Sequence, residues 1–226
     1  IPESSLGYWT HRLIERDIAH EAPEKRFGER VLPFRDADGM RLALVAVKGA
    51  DEIPGRSNGD IPAEHALRGV RGVTLMVGAG EPTAEVLTGA FGFQAMGHEG
   101  HVVRYRAAGD RLATVIDVRT AEGFLAGRQG TGSVHHVAFR AATDAAQADI
   151  VAAVRTHGLH PTDQIDRCYF RSVYFREPGG VLFEIATDQP GFTVDEAKGA
   201  LGAAVKLPPW LEARRTEIVA ALPPLA

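Results

Sequence analysis

Cysteine is nearly absent from this chain: Cys168 is the only one in 226 residues, so no intramolecular disulfide can form. Lying in an expected strand, it reads as a small buried side chain. A chain without disulfides suits a reducing cytoplasm, which is the expected location. Long apolar runs are lacking too. No stretch approaches the roughly 18 to 20 residues that span a bilayer, and the opening IPESSLGYWTHRLIERD holds no uninterrupted apolar signal region. No membrane partner is expected. There is also no basic run: Lys and Arg are scattered singly and the formal net charge is −4, which argues against nucleic acid as a partner. With 45% hydrophobic and 24% charged residues, the chain can bury one large core or two modest ones.

The sequence repeats itself. RFGERVLPFRDADGMRLALVA, 26–46, superposes without a gap on RCYFRSVYFREPGGVLFEIAT, 167–187, at an offset of 141. Arg26, Arg30, Phe34, Arg35 and Gly39 fall on Arg167, Arg171, Phe175, Arg176 and Gly180. Each copy sets two alternating apolar runs around an acidic, glycine-containing turn, Asp36–Gly39 or Glu177–Gly180, as a β-hairpin does. A helix precedes each hairpin. In the later copy Asp144 can cap a face of Ala146, Ile150, Ala153 and Val154 that ends at Gly158; in the earlier one Ser4 or Ser5 precedes Leu6, Trp9 and Leu13. A strand, Val134–Phe139, lies before the later helix. A looser middle copy has strands at Val73–Val77, Val102–Tyr105 and Thr114–Val118, with a helix from Pro82 at its first position to Gly92.

The spacing predicts an α+β chain of strand–helix–strand modules: 1–50 the remainder of a second module, 51–66 a linker, 67–126 a third, 132–190 a fourth, and 191–226 a packing extension. In that extension Leu211, Ile218 and Leu222 can share one side of a helix resting on the fold or on a second subunit, which leaves a homo-oligomer open. The first copy begins at its helix, so its opening strand would lie before residue 1, and Ile1 is an implausible initiator; an N-terminal portion is expected to be cleaved, disordered or absent from this sequence.

Chemistry is sought where the copies differ. Glu184 sits in the apolar run VLFEIA, where the earlier copy has Ala43. A carboxylate there needs a partner, because desolvating an unpaired charge costs at least several kcal/mol. A metal, a salt bridge to Arg171 or Arg176, or exposure of that strand face would each serve. In GSVHHVAFR, His135 and His136 are adjacent on the expected strand and so point to opposite faces. Imidazole and carboxylate together suit Fe(II), Mn(II) or Zn(II).

VHHVAF at 134–139, followed by YFRSVYFREPGGVLFEIATDQPGFTVDE from Tyr169, resembles the last module of the vicinal oxygen chelate superfamily, and more narrowly its hydroquinone and chlorohydroquinone dioxygenase branch. RFGERVLPF, IPAEHALRGVRGVTL and KLPPWLEARR resemble that branch in the same order. The resemblance implies βαβββ modules paired into open β-barrel-like cups, and a metal held by two histidines and one glutamate. His136 and Glu184 take two of these places, and the third falls in the first of four modules, which the resemblance implies is absent from this sequence. Gly72 and Asp117 occupy the corresponding positions of the third module; Asp117 reads as a rim or hydrogen-bonding residue. His135, Arg167 and Tyr174 match positions lining the substrate pocket, although Arg167 is duplicated by Arg26 and Tyr174 is a good strand former.

The implied activity is Fe(II)-dependent cleavage of a hydroquinone- or catechol-type aromatic diol with O2, the metal keeping open positions for both. His135 or Tyr174 would take the substrate proton and Arg167 would stabilise the anionic oxygen. Because one scaffold serves several chemistries, a glyoxalase-like lyase or isomerase using Zn(II) or Ni(II), a metal-free binding module of the antibiotic-sequestering kind, and a metal-free remnant stay open as alternatives. A lyase would need a second carboxylate as base, and none is evident beside Glu184.

Overall fold

Both copies of the repeat fold as the same hairpin. The computed structural model describes residues 1–57, 59–109, 112–123, 127 and 129–223. In the first copy β1 (Glu24–Arg26), β2 (Glu29–Arg35) and β3 (Arg41–Ala46) form a three-stranded antiparallel sheet behind α1 (Leu6–Glu15). The third module runs β4 (Gly72–Val77), α2 (Gly80–Gly89), β5 (Gln94–Glu99), β6 (Val102–Arg106) and β7 (Val115–Thr120). Its sheet has the order β4-β7-β6-β5, with only the β4–β7 pair parallel. The last module runs β8 (Val137–Ala141), α3 (Asp144–Thr156), β9 (Ile165–Asp166), β10 (Arg171–Arg176) and β11 (Leu182–Thr187), in the order β8-β11-β10-β9. The third and last are βαβββ modules, among the described residues no sheet closes into a barrel, and β3 and β11 match residue for residue at the offset of 141. The chain divides into two compact units, Ile1–Val137 with Arg176–Leu182, and Ala138–Phe175 with Phe183–Ala226. Among the described residues no helix is long and apolar enough to cross a membrane.

The hairpin turns repeat in atomic detail. Asp36 Oδ1 accepts from the backbone N–H groups of Asp38 (3.0 Å) and Met40 (2.8 Å). Glu177 accepts from the equivalent Gly179 (2.9 Å) and Val181 (2.8 Å). Gly39 and Gly180, at φ +83° and +88°, supply the left-handed residue that closes each turn. The two carboxylates part company in burial: Glu177 is only 2% exposed and takes a third hydrogen bond, 2.6 Å, from Thr83 Oγ1 on α2. Gly179 must be a glycine there, because a Cβ would lie 2.4 Å from Val77 Cγ1.

The face of α1 follows the expected periodicity, that of α3 turns by about one residue to Gln147, Val151 and Val154, and the caps differ from expectation. Leu6, Trp9 and Leu13 bury one side of α1 with Leu32, Leu44 and Ala46. Ser5 sits at the N-cap without capping; its hydroxyl donates to Glu64 O (3.2 Å) and lies 3.0 Å from His65 Nδ1. His65 also stacks on Tyr8, and its carbonyl accepts from Trp9 Nε1 at 2.8 Å, so the polar stretch around 60–65 is held along α1. In α3 the cap is Thr143, whose Oγ1 accepts from Ala146 N at 3.1 Å; Asp144 is already helical and pairs with Arg171. Pro82 is the third residue of α2, where its missing N–H still costs nothing because the first-turn donors have no intrahelical partner. Cys168, expected in a strand, lies in the β9–β10 turn at φ +67° and is half-buried. At the C-terminus the expected helix is divided into a 3-10 turn, Pro209–Arg214, and α4 (Arg215–Ala221), neither with a buried residue.

Thr83→Val preserves shape and removes the Glu177 donor, so the first unit should lose about 1.5 to 3 kcal/mol in a denaturant titration. Thr88→Val, exposed on the same helix, should stay within about 0.5 kcal/mol.

Candidate metal centre

The last sheet presents its apolar and polar residues on opposite faces. Alternation along β10 and β11 puts Val173, Phe175, Phe183 and Ile185 on one face, all buried. The Phe183 ring meets Phe139 and Phe175 edge-on at 4.9 and 5.7 Å between centroids. The other face carries Ser172, Tyr174 and Glu184. Gln147 of α3, itself buried, ties these strands together by donating to Arg171 O (2.9 Å) and Ile185 O (2.7 Å). The backbone on one side of both Ser172 and Glu184 is thereby pinned.

Glu184 is 3% exposed. Its Oε1 accepts from Tyr174 Oη at 2.8 Å and from the Ser172 hydroxyl. The arginines weighed as salt-bridge partners are engaged elsewhere: Arg171 with Asp144, and Arg176 Nη1 with Gly180 O at 2.9 Å. Arg167 leaves β9 into the following turn, where its N–H donates to Phe170 O (2.9 Å) and its guanidinium lies 5.3 Å from the centre of the Tyr174 ring. Glu184, Tyr174 and Arg167 thus form one cluster with Ser172, a residue that sequence reasoning missed. A serine two residues before Tyr174 in an apolar strand was the signal available.

His135 and His136 do not point to opposite faces. β8 begins only at Val137, so the pair precedes the ladder, and the two rings meet edge-on at 5.2 Å with Nδ1 to Nδ1 at 2.9 Å. Gln129 Nε2 donates to His135 O at 3.1 Å. One Nδ1 must be protonated and the other must accept. If His136 is the donor, its lone pair is on Nε2, the tautomer a metal-ligating imidazole needs when its other nitrogen is held by a neighbour.

The third module answers the same strand position differently. Asp117 is not at a rim: it is 8% exposed, and Arg104, its direct neighbour across β6–β7, donates to both oxygens at 2.7 and 2.8 Å. Arg104 also reaches Glu29 Oε2 (2.7 Å), Glu29 pairs with Arg71 (2.8 Å), and the Phe27 ring centre lies 4.2 Å from the guanidinium carbon. Burial by itself would lower the Arg104 pKa, but the hydrogen bonds and charges of Asp117 and Glu29 outweigh it and raise it. At Gly72 a Cβ would stand 2.3 Å from Val115 O, so that strand start has no room for a ligand side chain.

Among the described residues, no three His, Cys, Asp or Glu side chains gather as a group that could hold a metal ion. The donor types nevertheless fit one: a buried carboxylate oriented by two hydroxyls, and an imidazole whose Nδ1 meets a neighbouring ring.

Comparison with known proteins agrees with this architecture. The family described as the Glyoxalase/Bleomycin resistance protein/Dioxygenase superfamily matches residues 69–185. MhqA of Bacillus subtilis (strain 168), which carries the provisional name of a ring-cleaving dioxygenase, is 39% identical over 98% of this chain and 72% of its own. The chlorohydroquinone/hydroquinone 1,2-dioxygenase of Sphingobium indicum is 33% identical over 96% of this chain and 69% of its own. A crystal structure of a provisionally assigned dioxygenase from Bacillus subtilis superposes with a TM-score of 0.90 at 36% identity, covering 100% of this chain and 72% of that one. The chain belongs to the Glyoxalase/Bleomycin resistance protein/Dioxygenase superfamily. Within it, the protein is an enzyme of the dioxygenase kind.

Arg104→Met strands Asp117 as a buried anion and leaves the half-buried Glu29 to Arg71, and should destabilise the protein by about 3 kcal/mol in chemical denaturation. Combining it with Asp117→Asn should recover part of that loss, a non-additivity that measures the pair.

Proposed function

We propose that the protein is a ring-cleaving dioxygenase that opens a hydroquinone- or catechol-type aromatic diol with O2, and that His136 and Glu184 hold the Fe(II) it requires. The observation that carries this reading is the Glu184 carboxylate, buried mid-strand and steered by the hydroxyls of Ser172 and Tyr174, where the first copy has Ala43 and the third module has an ion-paired Asp117. The names of the relatives from Bacillus subtilis and Sphingobium indicum support the choice of ring cleavage and of a hydroquinone-type substrate.

When bound, Fe(II) supplies Lewis acidity and a path for electrons between the diol and dioxygen. The protein's own groups do the rest. His135 is the group proposed to take the proton from a substrate hydroxyl, through the Nδ1 lone pair that it turns toward His136 when no substrate is bound. Arg167 provides a fixed positive charge beside Tyr174 and stabilises the anionic oxygen left behind. Tyr174 directs its own proton at Glu184, so its part is to orient the carboxylate and to wall the substrate space. The products would be open-chain unsaturated acids.

Oxygen consumption by the full-length protein, loaded anaerobically with Fe(II) and given hydroquinone or catechol, checks this reading. Uptake should be rapid with one of the two diols and fall to the metal-free background in His136→Ala and Glu184→Ala. Stoichiometric metal without uptake would favour a lyase of the same fold.

A further inference from the structure

We propose that Ser172 is a positioning residue for the metal, its buried hydroxyl holding the Glu184 carboxylate in the rotation from which it ligates. The inference rests on the reading of Glu184 as a metal ligand. Ser172 is 0% exposed, and its hydroxyl is committed to Glu184 Oε1, the same oxygen that accepts from Tyr174 at 2.8 Å. Two donors converging on one oxygen fix the plane of the carboxylate, which a single donor would leave free to turn. They also set how basic the group is toward a cation, as outer partners of metal ligands do.

The hydroxyl stands on rigid backbone. Residue 171 is held at its carbonyl by Gln147 (2.9 Å) and at its N–H by Thr187 Oγ1 (3.0 Å), and Ile185 beyond Glu184 is held by the same glutamine (2.7 Å). Small movements of Ser172 relative to Glu184 are therefore resisted by the frame rather than by the pair itself.

The chain carries its own control for a purely structural role. At the offset of 141 the first copy has Val31, Pro33 and Ala43 in place of Ser172, Tyr174 and Glu184, and Pro33 and Ala43 are direct cross-strand partners. All three polar groups are replaced together. Val31 is buried at 2%, so this hairpin accepts a branched apolar side chain at that place and folds without the hydroxyl. What the serine adds in the last module is a donor.

Valine and threonine have nearly the same shape and differ here by the hydroxyl, so Ser172→Val and Ser172→Thr make the decisive pair. The full-length protein would be titrated with Mn(II) followed by electron paramagnetic resonance, and its Co(II) form recorded in the visible region, beside Glu184→Ala and thermal unfolding of each variant. Ser172→Thr should bind Mn(II) near the wild-type level. Ser172→Val should bind about 10- to 100-fold more weakly and shift the Co(II) bands, with an unfolding temperature close to that of the threonine variant. If valine and threonine variants bind alike while Glu184→Ala loses the metal, Ser172 has no positioning role and the assignment of Glu184 stands. If Glu184→Ala binds as the wild type does, the ligand assignment fails and this inference goes with it.

Discussion

A carboxylate taken out of water must be met by donors, and among the described residues three buried ones have donors that differ in kind. Glu177 is met by two backbone N–H groups and a threonine hydroxyl, Asp117 by both arms of a guanidinium, and Glu184 by a serine and a tyrosine hydroxyl. Each set suits a different purpose. Backbone donors belong to a turn and fasten it, a guanidinium cancels the charge and holds two strands together, and hydroxyls steer a carboxylate while leaving its charge in place.

Duplication explains how one fold came to hold these solutions side by side. β2–β3 and β10–β11 are the same hairpin, down to the acidic side chain that caps the turn and the arginine that reaches the glycine carbonyl, Arg35 to Gly39 and Arg176 to Gly180. On that shared frame, substitution at a few positions of one strand face redirects the module. Val31, Pro33 and Ala43 leave an apolar strand pair, and Ser172, Tyr174 and Glu184 make a polar one. The third module filled its equivalent strand with an Arg104–Asp117–Glu29 network and left no room at Gly72.

Much of the fold was legible in the sequence because the repeat is strong and local. The hairpins, the apolar face of α1 and the run of α3 all came from periodicity within some twenty residues, and the structure has them there. The errors have physical reasons. Thr143 rather than Asp144 caps α3 because the cap needs an extended residue one position earlier, and Ser5 gives its hydroxyl to the 64–65 segment, which sequence spacing cannot bring near. The histidine pair was placed on a strand by its apolar flanks, yet the ladder starts after it and the rings are free to meet.

By itself the sequence determined which side chains could carry chemistry here: a glutamate set apart by Ala43 of the other copy, and a histidine pair, an arginine and a tyrosine that the family resemblance picks out. Only the tertiary structure decided what each carboxylate touches. Thr83 meets Glu177 across 94 residues and Arg104 meets Glu29 across 75, while Ser172 finds Glu184 across a hairpin of 12. Periodicity reports which face a residue shares with its chain neighbours, whereas a hydrogen bond depends on which distant atom is packed within about 3 Å of it.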